Sequence, residues 1–183
     1  MRKERKNAIR DRIIDTAGRL FYKQGYVNTG INQIIEESGV VKSSLYASFR
    51  SKEEILMEYL ITVGEATDES MLAAAMKHKD PKKQVLAIFD QLIKIVETDD
   101  YYGCTFLNVI SEIPKDNQVV TEQIKKQKNS LRSLFARLLE PIGKEDLANE
   151  IYTLFDGAMI ANKVHGELWP VTSARKTVER LLQ

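Results

Sequence analysis

Apolar residues recur every three to four positions along almost the whole chain, the spacing that places side chains on one face of an α-helix. Between Ile9 and Phe21, for example, they follow a single helix face for three turns. No sustained alternation of apolar and polar residues, the pattern of a half-buried strand, is bounded by turn residues. The pattern therefore predicts an all-α protein of about nine helices.

Residues that favour helix ends divide this pattern into elements. Gly25 and Gly39 are placed to end the first two helices, while Thr29 and Ser51 carry hydroxyls suited to cap the second and fourth. Pro81 stands in the first turn of the fifth helix, where proline is favoured. The predicted helices cover about residues 7–24, 30–38, 42–49, 51–78, 81–97, 103–112, 117–140, 144–166 and 171–182.

The composition is that of a chain with a real core. It has 183 residues, of which 43% are hydrophobic and 29% charged. No apolar run approaches the roughly 20 residues that cross a bilayer, and the start lacks the apolar stretch of a signal peptide, so we expect a cytoplasmic protein. The single cysteine, Cys104, cannot form an internal disulfide, and two histidines give no familiar zinc spacing. We expect neither metal nor cofactor.

The net charge is only +1, but the charged residues are distributed unevenly along the chain. Through Lys52 there are 11 Lys and Arg against 5 Asp and Glu, a net of +6, and the remaining residues carry 16 against 21, a net of −5. Such asymmetry indicates a segment that faces a polyanion, joined to a body with another task.

The basic segment also contains a motif. Two short predicted helices joined by a tight turn at Gly39 follow a longer first helix, which is a helix-turn-helix pattern. Between Ile13 and Leu56, the positions that carry a closer likeness are Ala17, Leu20, Phe21, Gly25, Tyr26, Thr29, Ile31, Ile34, Gly39, Val40, Lys42, Leu45, Tyr46, Phe49, Ser51, Lys52 and Glu53. In this order and spacing, they resemble the DNA-binding domain of the TetR family of bacterial transcriptional regulators.

The resemblance implies a DNA-binding domain over residues 1–52, whose recognition helix begins at Lys42 and enters the major groove. Tyr46, Lys52 and Thr29 match positions that touch phosphates. Val41 stands where the family often has Ser, so the usual hydroxyl cap is missing. The expected DNA contacts are Thr29, Lys42, Ser43, Ser44, Tyr46, Ala47, Ser48 and Lys52.

Plainer readings stay open for several of these residues. Tyr46 could pack between helices, and the lysines could be solvated surface. Ala47 and Ser48 stand where the family often has aromatic or histidine side chains, which implies fewer direct contacts. The arm formed by Arg2, Lys3, Arg5 and Lys6 is either solvated or a minor-groove contact.

Residues 53–183 resemble the family only in their layout of helices, which implies a ligand-binding and dimerisation domain. The last two helices would form a four-helix bundle with those of a second copy. The expected dimer residues are Leu154, Phe155, Ala158, Met159 and Asn162, unless this face closes only its own core. The expected pocket residues, each with a core role as the alternative, are Tyr59, Phe89, Tyr102, Cys104, Phe106, Leu107, Phe135 and Trp169.

Cys104 has no His, Lys or second Cys close to it in sequence. Such neighbours would lower the pKa of a thiol and make it reactive. We therefore expect a small buried side chain rather than a redox sensor.

The resemblance therefore implies a sequence-specific transcriptional regulator that responds to a small-molecule effector. The family default is a repressor that binds a palindromic operator as a homodimer. An enzyme is one alternative, but no Ser–His–Asp arrangement, phosphate-binding glycine loop or carboxylate pair with a histidine is evident. The other is a structural or protein-binding helical module without DNA affinity.

Overall fold

A computed structural model of the chain describes the backbone of residues 2–183 and the side chains of residues 7–183. The side chains of the arm Arg2, Lys3, Arg5 and Lys6 lie outside the described residues. Every regular element over residues 2–183 is a helix, which confirms the all-α prediction. The nine α-helices of this part are α1 (Arg2–Gln24), α2 (Ile31–Ser38), α3 (Lys42–Ser48), α4 (Lys52–Ala75), α5 (Pro81–Val96), α6 (Thr105–Glu112), α7 (Gln118–Leu139), α8 (Ala148–His165) and α9 (Trp169–Leu181).

The chain packs as two compact units. The first unit runs to Val63 and also contains Thr105–Ile124, and the second consists of Gly64–Cys104 and Lys125–Gln183. Helices α4 and α7 therefore belong partly to each unit. The predicted boundary at residue 52 is a functional division that this packing does not test, and it stays a prediction.

The first unit is built on the apolar faces of α1 to α4. Ile13, Ala17, Ile34, Leu45 and Leu56 are fully buried, because their helical spacing turns them all inwards. The turn between α2 and α3 passes through Gly39, whose φ of +61° is a left-handed conformation that glycine adopts without strain. This turn fixes the direction in which α3 leaves α2.

The second unit has an aromatic centre. Phe89, Phe135 and Phe155 are buried, and their ring centroids lie 5.4–6.3 Å apart, within the range of favourable ring contacts. At the edge of this core, Arg175 donates to both carboxylate oxygens of Asp90, at 2.6 and 3.2 Å. That pair joins α9 to α5.

Local capping chemistry sets several helix starts, with one correction. The Ser51 hydroxyl accepts the Glu54 N–H at 3.1 Å and Asp80 accepts the Lys82 N–H at 2.9 Å, so those two predicted starts are confirmed. The predicted cap by Thr29 is wrong, because Gly30 is the N-cap of α2 and forms no side-chain hydrogen bond there.

Two boundaries near the end of the chain also differ from prediction. Helix α8 begins at Ala148, not near residue 144, because two short 3₁₀ turns, Glu140–Ile142 and Glu145–Leu147, precede it. Helix α9 begins at Trp169, not near residue 171 as predicted, and Pro170 lies in its first turn. Among the described residues, no helix combines the length and apolar character needed to cross a membrane.

Candidate nucleic-acid interface

Helix α3 has one buried and one exposed side. Leu45 is fully buried, whereas Lys42, Ser43, Tyr46 and Ala47 are exposed. These four positions fall on one side of a helix because they are spaced i, i+1, i+4 and i+5. Tyr46 retains 48% of its exposure, so it is not packed between helices. The exposed side of α3 thus offers an ammonium, two hydroxyls and a methyl group to a partner.

The start of α3 departs from the usual chemistry of helix ends. Val41 is the N-cap, and its carbonyl accepts the N–H groups of Ser44 and Leu45 at 2.9 and 3.2 Å, but no side-chain cap is formed. A Ser, Thr, Asn or Asp at an N-cap stabilises a helix by about 1 kcal/mol relative to an apolar residue. The Val41 side chain is also 66% exposed.

Arg10 of α1 holds the other end of α3. Its guanidinium donates to the Ser48 carbonyl at 2.9 Å, lies 4.3 Å from the centre of the Phe49 ring and pairs with Glu58 at 2.6 Å. Ser48 itself is half-buried, and its hydroxyl donates to the Ser44 carbonyl at 3.0 Å. Sequence reasoning missed Arg10, because its three partners lie 38 to 48 positions further along the chain.

Lys52 and Thr29 meet at the turn between α1 and α2. The Lys52 ammonium donates to the carbonyls of Tyr26 and Thr29 at 2.9 and 3.0 Å and lies 4.2 Å from the centre of the Tyr26 ring. Burial lowers the pKa of Lys52, and the negative charge of Glu112 opposes that shift. Thr29 is completely buried, and its hydroxyl donates to the Gly25 carbonyl at 2.7 Å. Both side chains therefore order the turn, and the phosphate contacts expected of them stay predictions.

The same turn is held from α6. Glu112 accepts the Val27 N–H at 2.9 Å. Gly25 has a φ of +94°, a left-handed conformation that favours glycine, and a Cβ there would lie 2.9 Å from the Glu112 carboxylate. Glu112 is 85 positions from Val27, and no sequence signal pointed to the contact.

The residues predicted to bind a ligand fall in both units. Tyr59, Phe106 and Leu107 belong to the first, where Tyr59 lines a cavity of about 240 Å³ with residues of α1 such as Ile14 and Gly18. The second unit holds the other five, and they differ in burial. Phe89 and Phe135 are core, Tyr102 and Cys104 are half-buried, and Trp169 is exposed, with its ring 5.0 Å from that of His165.

A polar cluster lies beside Cys104 in the second unit. Lys128 donates to the Cys104 sulfur at 3.4 Å and pairs with Asp156 at 2.8 Å. Tyr152 donates to the other Asp156 oxygen at 2.6 Å, and burial together with this bond raises the pKa of Tyr152. The expectation that no lysine lies near the thiol is wrong, because Lys128 is distant only in sequence.

The residues predicted for the dimer interface are largely inside the second unit. Phe155, Ala158, Met159 and Asn162 are buried, and Leu154 is half-buried. The Asn162 amide donates to the Glu167 carbonyl at 2.8 Å, just beyond the end of α8. Their assignment to an interface stays a prediction.

Comparisons with known proteins agree with this geometry. A family profile described as bacterial regulatory proteins, tetR family, matches residues 13–59. The Bacillus subtilis protein YxaF, an uncharacterized HTH-type transcriptional regulator, is 32% identical over 150 residues, which cover 80% of this chain and 78% of YxaF. The HTH-type regulator LmrA of the same species is 30% identical over 154 residues, covering 82% of this chain and 81% of LmrA.

Solved structures give the same fold. The crystal structure of SCO4454, a TetR-family regulator from Streptomyces coelicolor, superposes with a TM-score of 0.89 at 25% identity, covering 95% of this chain and 88% of that one. E. coli NemR in its reduced form shares the fold, with a TM-score of 0.86 at 19% identity, covering 94% of this chain and 96% of NemR. The protein is thus a helix-turn-helix transcriptional regulator. It belongs to the TetR family, whose members are transcriptional regulators and not enzymes.

Proposed function

We propose that this regulator is a repressor, which binds a palindromic operator as a homodimer in the cytoplasm and is released by a small-molecule effector. The observation that carries the proposal is the exposed side of α3. Lys42, Ser43, Tyr46 and Ala47 face solvent on a helix whose other side is anchored by buried Leu45. Such a rigid, exposed helix following a tight turn is what major-groove reading requires.

Within this proposal the contacts divide by chemistry. Lys42 donates to guanine O6 and N7, and Ser43 and Ser44 bond to base edges or phosphates. Tyr46 contacts the backbone, which adds affinity without sequence information. Ala47 and Ser48 lie next to these residues and contribute small surfaces. The basic character of residues 1–52 supplies the sequence-independent attraction to DNA.

We further propose that the dimer forms through the exposed side of α8. Thr153, Gly157, Ile160 and Val164 are exposed and follow the spacing i, i+4, i+7 and i+11, which is one helix face. Ile160 is 52% exposed and Val164 is 74% exposed, so this face carries apolar surface that a second copy would cover. Among the five residues predicted from the sequence, the four buried ones would support this face from beneath.

Introducing a charge at this face tests the dimer. Ile160→Asp combined with Val164→Asp should give a folded monomer, because both side chains are exposed and unfolding is not required to accommodate them. Operator affinity should fall by more than tenfold, since each copy would then bind a single half-site. Sedimentation and anisotropy measure the two effects. Lys83→Asp, on an exposed position of α5, is the matched control, and a dimeric double variant would contradict this interface.

The effector is proposed to bind in the second unit beside Tyr102 and Cys104. The half-buried pair of Lys128 and Asp156, with side-chain exposures of 15% and 18%, gives this region charged hydrogen-bonding groups. A half-buried ion pair of this kind suits a ligand that combines apolar surface with a polar group. Phe89 and Phe135 would support the site from the core.

Release from DNA is proposed to follow from linkage. An effector that binds better to one arrangement of the dimer than to another shifts that equilibrium, and operator affinity changes by the same coupling, typically about 1–3 kcal/mol. Helices α4 and α7 run from one unit into the other, and α4 begins at Lys52, directly after the helix-turn-helix. We propose α4 as the main route of coupling.

Selection from genomic DNA tests the proposal as a whole. Fragments retained by the purified protein are sequenced, and the selection is repeated in the presence of a metabolite library. A shared palindrome, lost in the presence of one compound, is the expected result. A gel shift with DNA from upstream of its own gene gives the first indication, and a chain that retains no duplex at low salt would favour the protein-binding alternative instead.

A further inference from the structure

Val41 combines two features that each run against stability. It occupies the N-cap of α3 without forming a side-chain cap, and it exposes 66% of a β-branched apolar side chain to solvent. A serine at this position would remove both disadvantages. Residues that are unfavourable for local stability are expected more often at functional positions than elsewhere in a protein.

The backbone of Val41 is also held in place before any partner arrives. Its carbonyl is fixed by the N–H groups of Ser44 and Leu45, and Leu45 is anchored in the core with no exposed surface. A β-branched side chain has few accessible rotamers. The two methyl groups of Val41 therefore project from a rigid frame immediately before exposed Lys42, and little entropy is lost when they make a contact.

A methyl group is also a sequence signal in DNA. Thymine alone among the four bases presents one, at C5, in the major groove, and apolar side chains read it by direct contact. The first residues of a recognition helix are those that approach base edges. We propose that Val41 is a specificity-determining residue, whose methyl groups contact the C5-methyl group of a thymine in each operator half-site. This inference rests on the proposed sequence-specific binding of DNA.

Replacing thymine by uracil tests the contact, because it removes only the C5-methyl group. In the selected operator, each symmetric pair of thymines is changed to deoxyuridine, and affinity is measured by fluorescence anisotropy with the full-length protein. At one symmetric pair of thymines, the replacement should weaken binding of the wild type by about fourfold for each half-site, or roughly 15-fold for the two half-sites together. This is the effect expected when one methyl group is removed from an apolar contact.

Two variants assign that effect to Val41. Val41→Ser should bind the thymine and deoxyuridine operators equally at this pair, and should melt no lower than the wild type because the hydroxyl can cap α3. Val27→Ser makes the same change at another exposed valine of the first unit and should keep the full thymine preference.

The possible results distinguish the role of Val41 from the proposed sequence-specific binding of DNA. An operator whose affinity is insensitive to every thymine methyl group, or a thymine preference that persists in Val41→Ser, would overturn the assignment while leaving sequence-specific binding intact. Failure of the wild type to prefer any operator over a scrambled duplex would overturn the proposed function, and the assignment with it.

Discussion

The two ends of the helix-turn-helix segment differ in the exposure of their polar side chains. On α3, Lys42 and Tyr46 are exposed. At the turn between α1 and α2, Thr29 is completely buried and the Lys52 ammonium donates to two backbone carbonyls. Residues at the first place are free to meet DNA, whereas those at the second hold the frame that presents α3. A substitution should therefore affect binding at one end and stability at the other.

Lys42→Ala should have the largest effect on DNA binding. Loss of a donor to base edges costs about 1–3 kcal/mol of operator affinity and relaxes the base preference at the contacted position. Thermal stability should change little, because the side chain is exposed. Titrations with operator variants measure the effect, and Lys23→Ala, at an exposed position of α1, is a control with the same change of charge. Equal losses in the two variants would show that Lys42 supplies only general charge.

Lys52→Ala should act mainly on stability. It removes two charge-assisted hydrogen bonds to carbonyls at a partly exposed site, and we expect a loss of about 1–2 kcal/mol in the free energy of unfolding. Denaturant titration measures this loss. The salt dependence of DNA affinity tests the predicted phosphate contact, because losing one lowers the slope by about 1. A lower salt slope together with an unchanged free energy of unfolding would contradict this prediction. It would show that Lys52 acts mainly by contacting DNA.

Thr29→Val should have the smallest effect of the three. The substitution preserves shape but removes the buried hydroxyl that donates to the Gly25 carbonyl, which costs about 1 kcal/mol of stability. Operator affinity under conditions where the variant stays folded should match that of the wild type. A clear loss of affinity at unchanged stability would show that the Thr29 hydroxyl reaches a phosphate in the complex.

Sequence reasoning succeeded where local chemistry decides the outcome. The helix starts at Ser51 and Asp80 follow from side chains that bond to N–H groups two or three residues away. It failed where contacts distant in sequence decide. The Lys52 contact to the Tyr26 carbonyl, the Lys128 contact to Cys104 and the Glu112 contact to Val27 join residues 26, 24 and 85 positions apart, and no periodicity encodes them.

For the candidate site, the resemblance located the exposed side of α3 but did not give side-chain directions. It assigned the same kind of contact to Tyr46, which is exposed, and to Thr29, which is buried. The difference arises because Thr29 packs beneath the turn while Tyr46 lies opposite buried Leu45 on α3. Position in a motif thus indicates which element meets DNA, and tertiary packing determines which of its side chains are available.

The central claim is that the exposed side of α3 gives sequence-specific binding. It is tested most directly by titrating the wild type, at one fixed salt concentration, against the selected operator and a scrambled duplex of the same composition. We predict that the operator binds at least about 10³-fold more tightly. Equal affinity for the two duplexes would contradict the claim.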